Sequence, residues 1–218
     1  MRVAIIGAGL QAKRRAPVIR DWPGMEIIII TAEHKDSAEK LAGELGCDAG
    51  VGWKGIVDRD DIDVVLVLTP PDIHAEISNT AMKAGKHVLC EKPLTRTIKE
   101  AEDMIRIAKE NKIVLKCGFN HRHHPAIWEA KQLIDKGKLG KPLFARCSYG
   151  ICGRPGYENE WRADPNRAAG GQFMEQGIHA IDLFRWFLGE IIEVSSMTGV
   201  QYFKEQSLED NGMAIFRM

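Results

Sequence analysis

Three groups of residues have the types and spacing for chemistry. Cys90-Glu91-Lys92-Pro93 follows the apolar run Lys86-His87-Val88-Leu89 and precedes a strongly helical segment. In open α/β sheets that end of a strand lies at the ligand crevice, where a lysine offers a positive charge and a movable proton. Pro93 fixes the turn and is a candidate for a cis bond. Taken alone, the four residues also read as a solvated lysine before a turn proline. Glu175, His179 and Asp182 stand at i, i+4 and i+7, so on a helix all three project from one face. A histidine flanked by carboxylates suits a general base oriented by its neighbours, or a zinc site. The plain alternative is a polar stripe facing solvent. That helix is otherwise apolar nearly all round, which points to burial, and a buried ionisable stripe is a candidate functional site. The third group is Gly7-Ala8-Gly9-Leu10-Gln11-Ala12, a G-x-G-x-x-A dinucleotide fingerprint. There Gly7 permits the tight turn, Gly9 lets backbone approach a pyrophosphate, and Ala12 keeps helix and strand close. The pyrophosphate belongs at the helix N-terminus, where unpaired N–H groups and the helix dipole favour an anion.

The elements that position these groups follow from the pattern. Val3 to Ile6, Ile27 to Ile30, Asp63 to Leu68, His87 to Cys90 and Ile113 to Cys117 are apolar runs, as expected of strands buried on both faces. Between them Ala12 to Arg20, Ser37 to Leu45, Ile73 to Ala84 and Thr97 to Asn111 read as helices. Alternation of this kind over the first 120 residues implies a doubly wound parallel sheet. The fingerprint expects an acidic residue at the tip of the second strand, and Ala32 occupies that place, followed by Glu33, His34 and Lys35. Glu33 acting from one residue later favours NAD. His34 and Lys35 facing a 2′-phosphate favour NADP, and a solvated loop is the third reading.

After Asn120 the texture changes. A helix from about Ala126 to Lys136, a strand-like Pro142 to Tyr149, an irregular stretch from Gly150 to Arg167, a helix from about Gly171 to Leu188, and strands over Ile191 to Tyr202 and Met213 to Met218 follow. Long irregular stretches inside compact domains are often functional. The His121-Arg122-His123-His124 run has no matching Cys/His set elsewhere, so we expect no metal.

Lys+Arg and Asp+Glu are both 30, for a formal net charge of zero; nothing favours a nucleic-acid or acidic-membrane partner, both of which attract basic surfaces. The five cysteines are odd in number and scattered without C-x-x-C, the pattern of reduced thiols in the cytoplasm. No apolar run approaches the roughly 20 residues of a membrane span, and the sequence passes from Met1-Arg2 directly into a strand, so we expect no signal peptide.

Taken together, the sequence resembles the glucose–fructose oxidoreductase / inositol dehydrogenase (Gfo/Idh/MocA) family of NAD(P)-dependent oxidoreductases, from Met1 to about Met218. The resemblance rests on Gly7 to Ala12, Thr69-Pro70-Pro71 with His74, Glu91-Lys92-Pro93, Gly118-Phe119-Asn120, Trp161-Arg162, and Gly170-Gly171 with Glu175, Gly177, His179 and Asp182. It implies an α/β chain: an N-terminal Rossmann-type doubly wound parallel sheet over 1–120, then an α+β substrate and oligomerisation domain with an open mixed sheet over 121–218. Family members generally continue through several more strands, so the second domain is expected to be a fragment or a reduced form, and the protein a homo-oligomer. The resemblance further implies Lys92 and His179 at the reacting carbon, with Glu175 in the place of the usual aspartate. It places Gly9, Thr69, His74, Glu91, Asn120, Trp161 and Arg162 near NAD or NADP, and the candidate cofactor contacts are these together with Gly7, Leu10, Gln11, Ala12, Glu33, Pro70 and Lys92.

The activity this implies is hydride transfer between NAD(P) and a secondary alcohol or ketone of a sugar, cyclitol or sugar nucleotide, with the nicotinamide supplying the hard chemistry. His179 suits the base, its reference pKa lying near neutrality, and Lys92 suits a hydrogen-bond donor to the developing alkoxide. The reversed assignment stays open. Lys92, Arg122, Tyr157, Glu175 and His179 are the candidate substrate contacts, and Arg122, Arg154, Tyr157, Arg162 and Arg167 suit a phosphate or carboxylate, as a sugar nucleotide would present. Two other classes stand beside this one. A glycosidase on the same scaffold would use NAD transiently without net NADH. A dinucleotide-binding regulator would lack catalysis, since fold does not dictate function.

Overall fold

The structure, a computed structural model, describes residues 1–150, 155–203 and 207–218; Cys152 and Arg154 lie outside them. The chain forms two compact units, Met1–Gly118 and Phe119–Met218.

The first unit alternates strand and helix: β1 (Arg2–Ile6), α1 (Leu10–Asp21), β2 (Glu26–Ala32), α2 (Lys35–Leu45), β3 (Asp48–Val51), α3 (Lys54–Val57), β4 (Val64–Val67), α4 (His74–Lys83), β5 (His87–Cys90), α5 (Ile98–Glu110) and β6 (Leu115–Cys117). The strands form one parallel sheet in the order β3-β2-β1-β4-β5-β6. That is the dinucleotide-binding arrangement, whose strand order reverses between β1 and β4.

The continuous apolar strands are explained by the two faces they serve. On one face Ala4 and Ile6 of β1 pack with Ile77 and Met82 of α4 and Met104 and Ile107 of α5. On the other, Val3 and Ile5 pack with Ala12 and Ala16 of α1 and Leu41 and Ala42 of α2. Successive strand residues point to opposite faces, so a strand covered on both sides must be apolar at every position. The helix over α5 starts where its chemistry dictates. Thr97 caps the Glu100 amide at 3.2 Å while the Glu100 carboxylate accepts from the Thr97 amide at 3.0 Å, the reciprocal box that satisfies two otherwise orphaned donors.

β3 was not expected. Its sequence, Asp48-Ala49-Gly50-Val51, lacks β-branched alternation and it lies largely exposed at the sheet edge. Its order comes from pairing with β2 rather than from its own propensity.

The second unit comprises α6 (Pro125–Asp135), α7 (Ile178–Leu188), β7 (Glu193–Gly199) and β8 (Asn211–Arg217). Short 3₁₀ turns occur at Asn120–His123, Tyr157–Asn159 and Trp161–Ala163. β7 and β8 pair antiparallel, from Glu193 opposite Arg217 to Gly199 opposite Asn211.

Two expectations are corrected here. Residues 142–149 form no strand: Leu143 and Phe144 are almost fully exposed, and among the described residues no neighbouring strand pairs with the segment. Alternation alone does not make a strand without a partner for its backbone groups. The helix expected from Gly171 begins instead with a π-helical turn, Phe173–Gly177, before α7. Among the described residues no helix is long and apolar enough to cross a membrane.

Candidate active site

In the first unit the predicted cofactor residues gather at the C-terminal edge of the sheet. Gly7 follows β1 with φ +106°. A β-carbon there would meet the Leu68 carbonyl oxygen at 2.7 Å, so the turn into α1 can lie against the end of β4 only as glycine. Its amide donates to the Thr31 carbonyl at 2.7 Å. Gly9 is the N-cap of α1, and neither a side-chain cap nor an acidic residue neutralises that helix start. Among the described residues nothing lies within 4 Å of where a Gly9 β-carbon would be. Leu10 is exposed, Gln11 half-buried, and Ala12 fully buried against the sheet. An uncapped, glycine-lined helix start fits a pyrophosphate. Thr69 Oγ1, at the end of β4, is buried with no hydrogen-bond partner among the described residues; such an atom fits a polar ligand group, because a buried hydroxyl left unpaired is costly. These residues therefore fit the dinucleotide the fingerprint implies. Glu33 is exposed one residue beyond β2, and Lys35 pairs with Glu39 at 3.1 Å.

The lysine turn is held from several sides. The Lys92–Pro93 bond is cis, as the sequence suggested. Glu91, with a side chain 8% exposed, pairs with Arg15 of α1 and accepts from the Lys92 amide at 3.1 Å. Gly118 lies so close that a β-carbon there would be 3.1 Å from the Glu91 carboxylate. His74, at the start of α4, is buried. Its Nδ1 lies 2.9 Å from the Pro93 carbonyl oxygen and its Nε2 2.8 Å from that of Thr69, after which Pro70 turns the chain. Burial pushes the His74 pKa below its ordinary value, against the pull of the two carbonyls and Glu91. His74 thus ties the turn after β4 to the turn after β5.

In the second unit each member of the 175–179–182 stripe meets a different segment. Glu175, on the π-helical turn, accepts from Arg162 at 3.2 Å; Arg162 also donates to Glu160 and lies over the Trp161 ring at 4.3 Å. Asp182 accepts from Arg122 through both oxygens, at 2.8 and 2.6 Å. His179 is buried and stacks on His121 at 4.0 Å. Asn120 is exposed at the head of its 3₁₀ turn. Tyr157 is buried and its hydroxyl accepts from Gln172 at 2.7 Å. Burial, helped by the Glu175 charge, pushes its pKa above the usual phenol value, so the hydroxyl keeps its proton.

Sequence reasoning missed Arg15 and Glu209, and weighed His121 only as part of a metal-binding run. Glu209 has no motif around it, yet its carboxylate accepts from the Gly171 and Met174 amides at 2.8 and 3.2 Å, and its carbonyl accepts from the Gln172 amide at 2.7 Å. It caps the helix start in place of a local side chain. Gly171 serves that approach, since a β-carbon there would collide with the Glu209 backbone.

Comparison with known proteins gives a consistent result. Residues 1–119 match the model of the oxidoreductase family with an NAD-binding Rossmann fold, and residues 127–218 match the GFO/IDH/MocA C-terminal domain. Levoglucosan dehydrogenase of Pseudarthrobacter phenanthrenivorans is 31% identical over 97% of this chain and 57% of its own. The scyllo-inositol 2-dehydrogenase (NAD(+)) of Bacillus subtilis is 29% identical over 91% of this chain and 56% of its own. A 3-ketoreductase from Actinomadura kijaniata, crystallised with NADP and TDP-benzene, superposes with a TM-score of 0.88 at 29% identity, over 99% of this chain and 66% of that one. The chain thus spans less than three fifths of the length of these curated relatives.

Two glycines separate the effects of close packing from those of backbone entropy. Gly171→Ala must displace the Glu209 backbone and is expected to cost about 1–3 kcal/mol, as overpacking does. Gly43 lies exposed within α2 with open space at its β-position, so Gly43→Ala should stabilise by about 0.4–1 kcal/mol. Urea unfolding midpoints of the two variants should move in opposite directions.

With both halves matched to models of one family and the fingerprint, the lysine turn and the histidine helix all in place, this chain belongs to the GFO/IDH/MocA oxidoreductase family.

Proposed function

We propose that the protein transfers a hydride between NAD(P) and a secondary alcohol or ketone of a sugar, cyclitol or sugar nucleotide. The observation that supports this most directly is Glu91 fixed between Arg15 of the phosphate-loop helix and the backbone of Lys92. It couples the cofactor fingerprint to the one lysine at the end of a central strand. The named relatives, which include a levoglucosan dehydrogenase and an inositol dehydrogenase, support the substrate class.

In this reading Gly7 to Ala12 hold the pyrophosphate and Glu33 the adenine ribose, while Thr69, Pro70, His74, Asn120, Trp161 and Arg162 shape the remaining cofactor site. When bound, the nicotinamide accepts or donates the hydride. During oxidation His179 takes the hydroxyl proton on an imidazole nitrogen, and the Lys92 ammonium donates a hydrogen bond to the oxygen as it gains negative charge. Glu175 and Tyr157 orient the substrate. Arg122 contributes through Asp182, since two of its N–H groups already donate there. The scatter of the five cysteines without a C-x-x-C pair supports a cytoplasmic location.

If Lys92 and His179 serve one reaction, Lys92→Ala and His179→Ala should each lower turnover by about 10²–10⁴-fold. The double variant should be little worse than the worse single one. Cofactor affinity should change modestly, because the pyrophosphate is assigned to Gly7 to Ala12. Full turnover in either single variant, with an unchanged circular dichroism spectrum, removes that residue from the mechanism and favours the regulator reading.

NAD should bind more tightly than NADP, because Glu33 repels a 2′-phosphate and Lys35 is already paired with Glu39. Fluorescence titration with both cofactors decides the order. Tighter NADP binding that weakens in Lys35→Ala would show that the basic residue governs the site.

A homo-oligomer belongs to the same proposal. Met197 and Met213 face each other across β7 and β8, and together with Ile215 they leave an apolar sheet surface exposed. Exposed patches of this kind mark interaction sites. Light scattering should give a dimer or larger species that dissociates in Met213→Lys; a monomer at micromolar concentration would overturn it.

A further inference from the structure

His179 is one ring in a series of four. His121 stacks on it with centroids 4.0 Å apart and planes 17° from parallel. Tyr149 meets the His121 ring edge-on at 5.8 Å, and Phe119 meets the His179 ring edge-on at 6.2 Å. His121 is carried by the 3₁₀ turn Asn120–His123. The next residue of that turn, Arg122, grips Asp182 of α7 through two charge-assisted bonds, three residues along from His179. The same clamp therefore fixes both the turn and the helix, and one imidazole is held over the other.

Two rings stacked this closely cannot titrate independently. A charge on one opposes a charge on the other, and groups coupled by more than about one pH unit lose their protons in two steps that belong to the pair. The rings are also unequal. His179 is 6% exposed and His121 is half-buried, and burial penalises the charged form. Burial therefore disfavours a charge on His179 more than on His121. Among the described residues, the following charged and titratable groups flank the pair. Glu175 and Asp182, on the π-helical turn and α7, are bound by Arg162 and Arg122. On the other side Tyr149 faces His121, and on its own turn the neighbours of His121 are Arg122 and His123.

We propose that His121 is a positioning residue for His179: it sets the plane of the ring and, by holding the first proton of the pair, leaves His179 unprotonated and able to accept a hydroxyl proton near neutral pH. The inference rests on the reading of His179 as the base, and the test separates the two. The full chain, labelled with ¹⁵N-histidine, is titrated by NMR alongside His121→Phe, which keeps a ring without a charge, and His121→Gln, which keeps neither. His179→Ala assigns the resonance.

In the unaltered protein His179 should gain its proton second, about one pH unit or more below His121. In both His121 variants its midpoint should rise by about one unit, and the acid limb of the kcat/KM profile should move to higher pH by the same amount. His121→Gln should in addition lower kcat at the pH optimum, because the ring plane is no longer set, while His121→Phe should not. A His179 midpoint that stays in place in both variants overturns the inference, whatever turnover does. A midpoint that shifts in a protein whose turnover is insensitive to His179→Ala upholds the coupled pair and overturns the assignment of His179 as base.

Discussion

The ion pair between Arg15 and Glu91 is the contact on which the arrangement of the first unit depends. Arg15 lies on α1, the helix that the glycine fingerprint opens, and Glu91 lies at the end of β5. With side chains 22% and 8% exposed, the pair is mostly withdrawn from water. In such a setting the pair itself contributes little net stability, but the loss of one partner is severe, typically about 3–5 kcal/mol, because a buried charge is left alone. Its value here is geometric. Glu91 also receives the Lys92 amide and packs on Gly118, so one carboxylate fixes the phosphate-loop helix, the lysine turn and the end of β6 relative to one another.

His74 extends the same logic to the adjacent turn. Each of its ring nitrogens faces a backbone carbonyl, one from the turn after β4 and one from the turn after β5. A side chain that bridges two loop carbonyls in the core holds those loops more tightly than their own sequences could. The resemblance placed His74 near the cofactor. Its buried contacts make it a brace for the residues that would touch a cofactor.

How much was legible in the sequence follows from which interactions are local. The runs Val3 to Ile6 and Ile27 to Ile30 announce doubly buried strands, because only covered faces explain apolar residues at every position. Thr97 and Glu100 announce a helix start through a box closed within four residues. Asp48 to Val51 announces nothing, since an edge strand of small and polar residues is ordered by its neighbour. The Arg122–Asp182 and Arg15–Glu91 pairs join residues 60 and 76 positions apart, and no spacing rule reveals them. The stripe of Glu175, His179 and Asp182 was visible as a periodicity. Its three separate partners, Arg162, His121 and Arg122, and the π-helical turn beneath Glu175 were not.

Gly170 and Gly171 show a close approach whose partner lies far along the chain. Two consecutive glycines before a helix predict close approach of backbone, and close approach is what the structure has. The approaching chain is the protein's own, at Glu209. The residue after it, Asp210, accepts from the amides of Gln201, Tyr202 and Phe203, and although its modest burial works the other way, these bonds hold its pKa below the usual carboxylate range. Phe203 in turn packs on Tyr157 at 5.1 Å, and Tyr157 receives the Gln172 side chain. The connection between β7 and β8 thereby reaches the candidate site twice, once through the cap on its helix and once through the ring beside its tyrosine. An acidic pair remote in sequence from every motif sets the conformation of both, which makes the connection between two strands part of the support for the chemistry rather than a passive link.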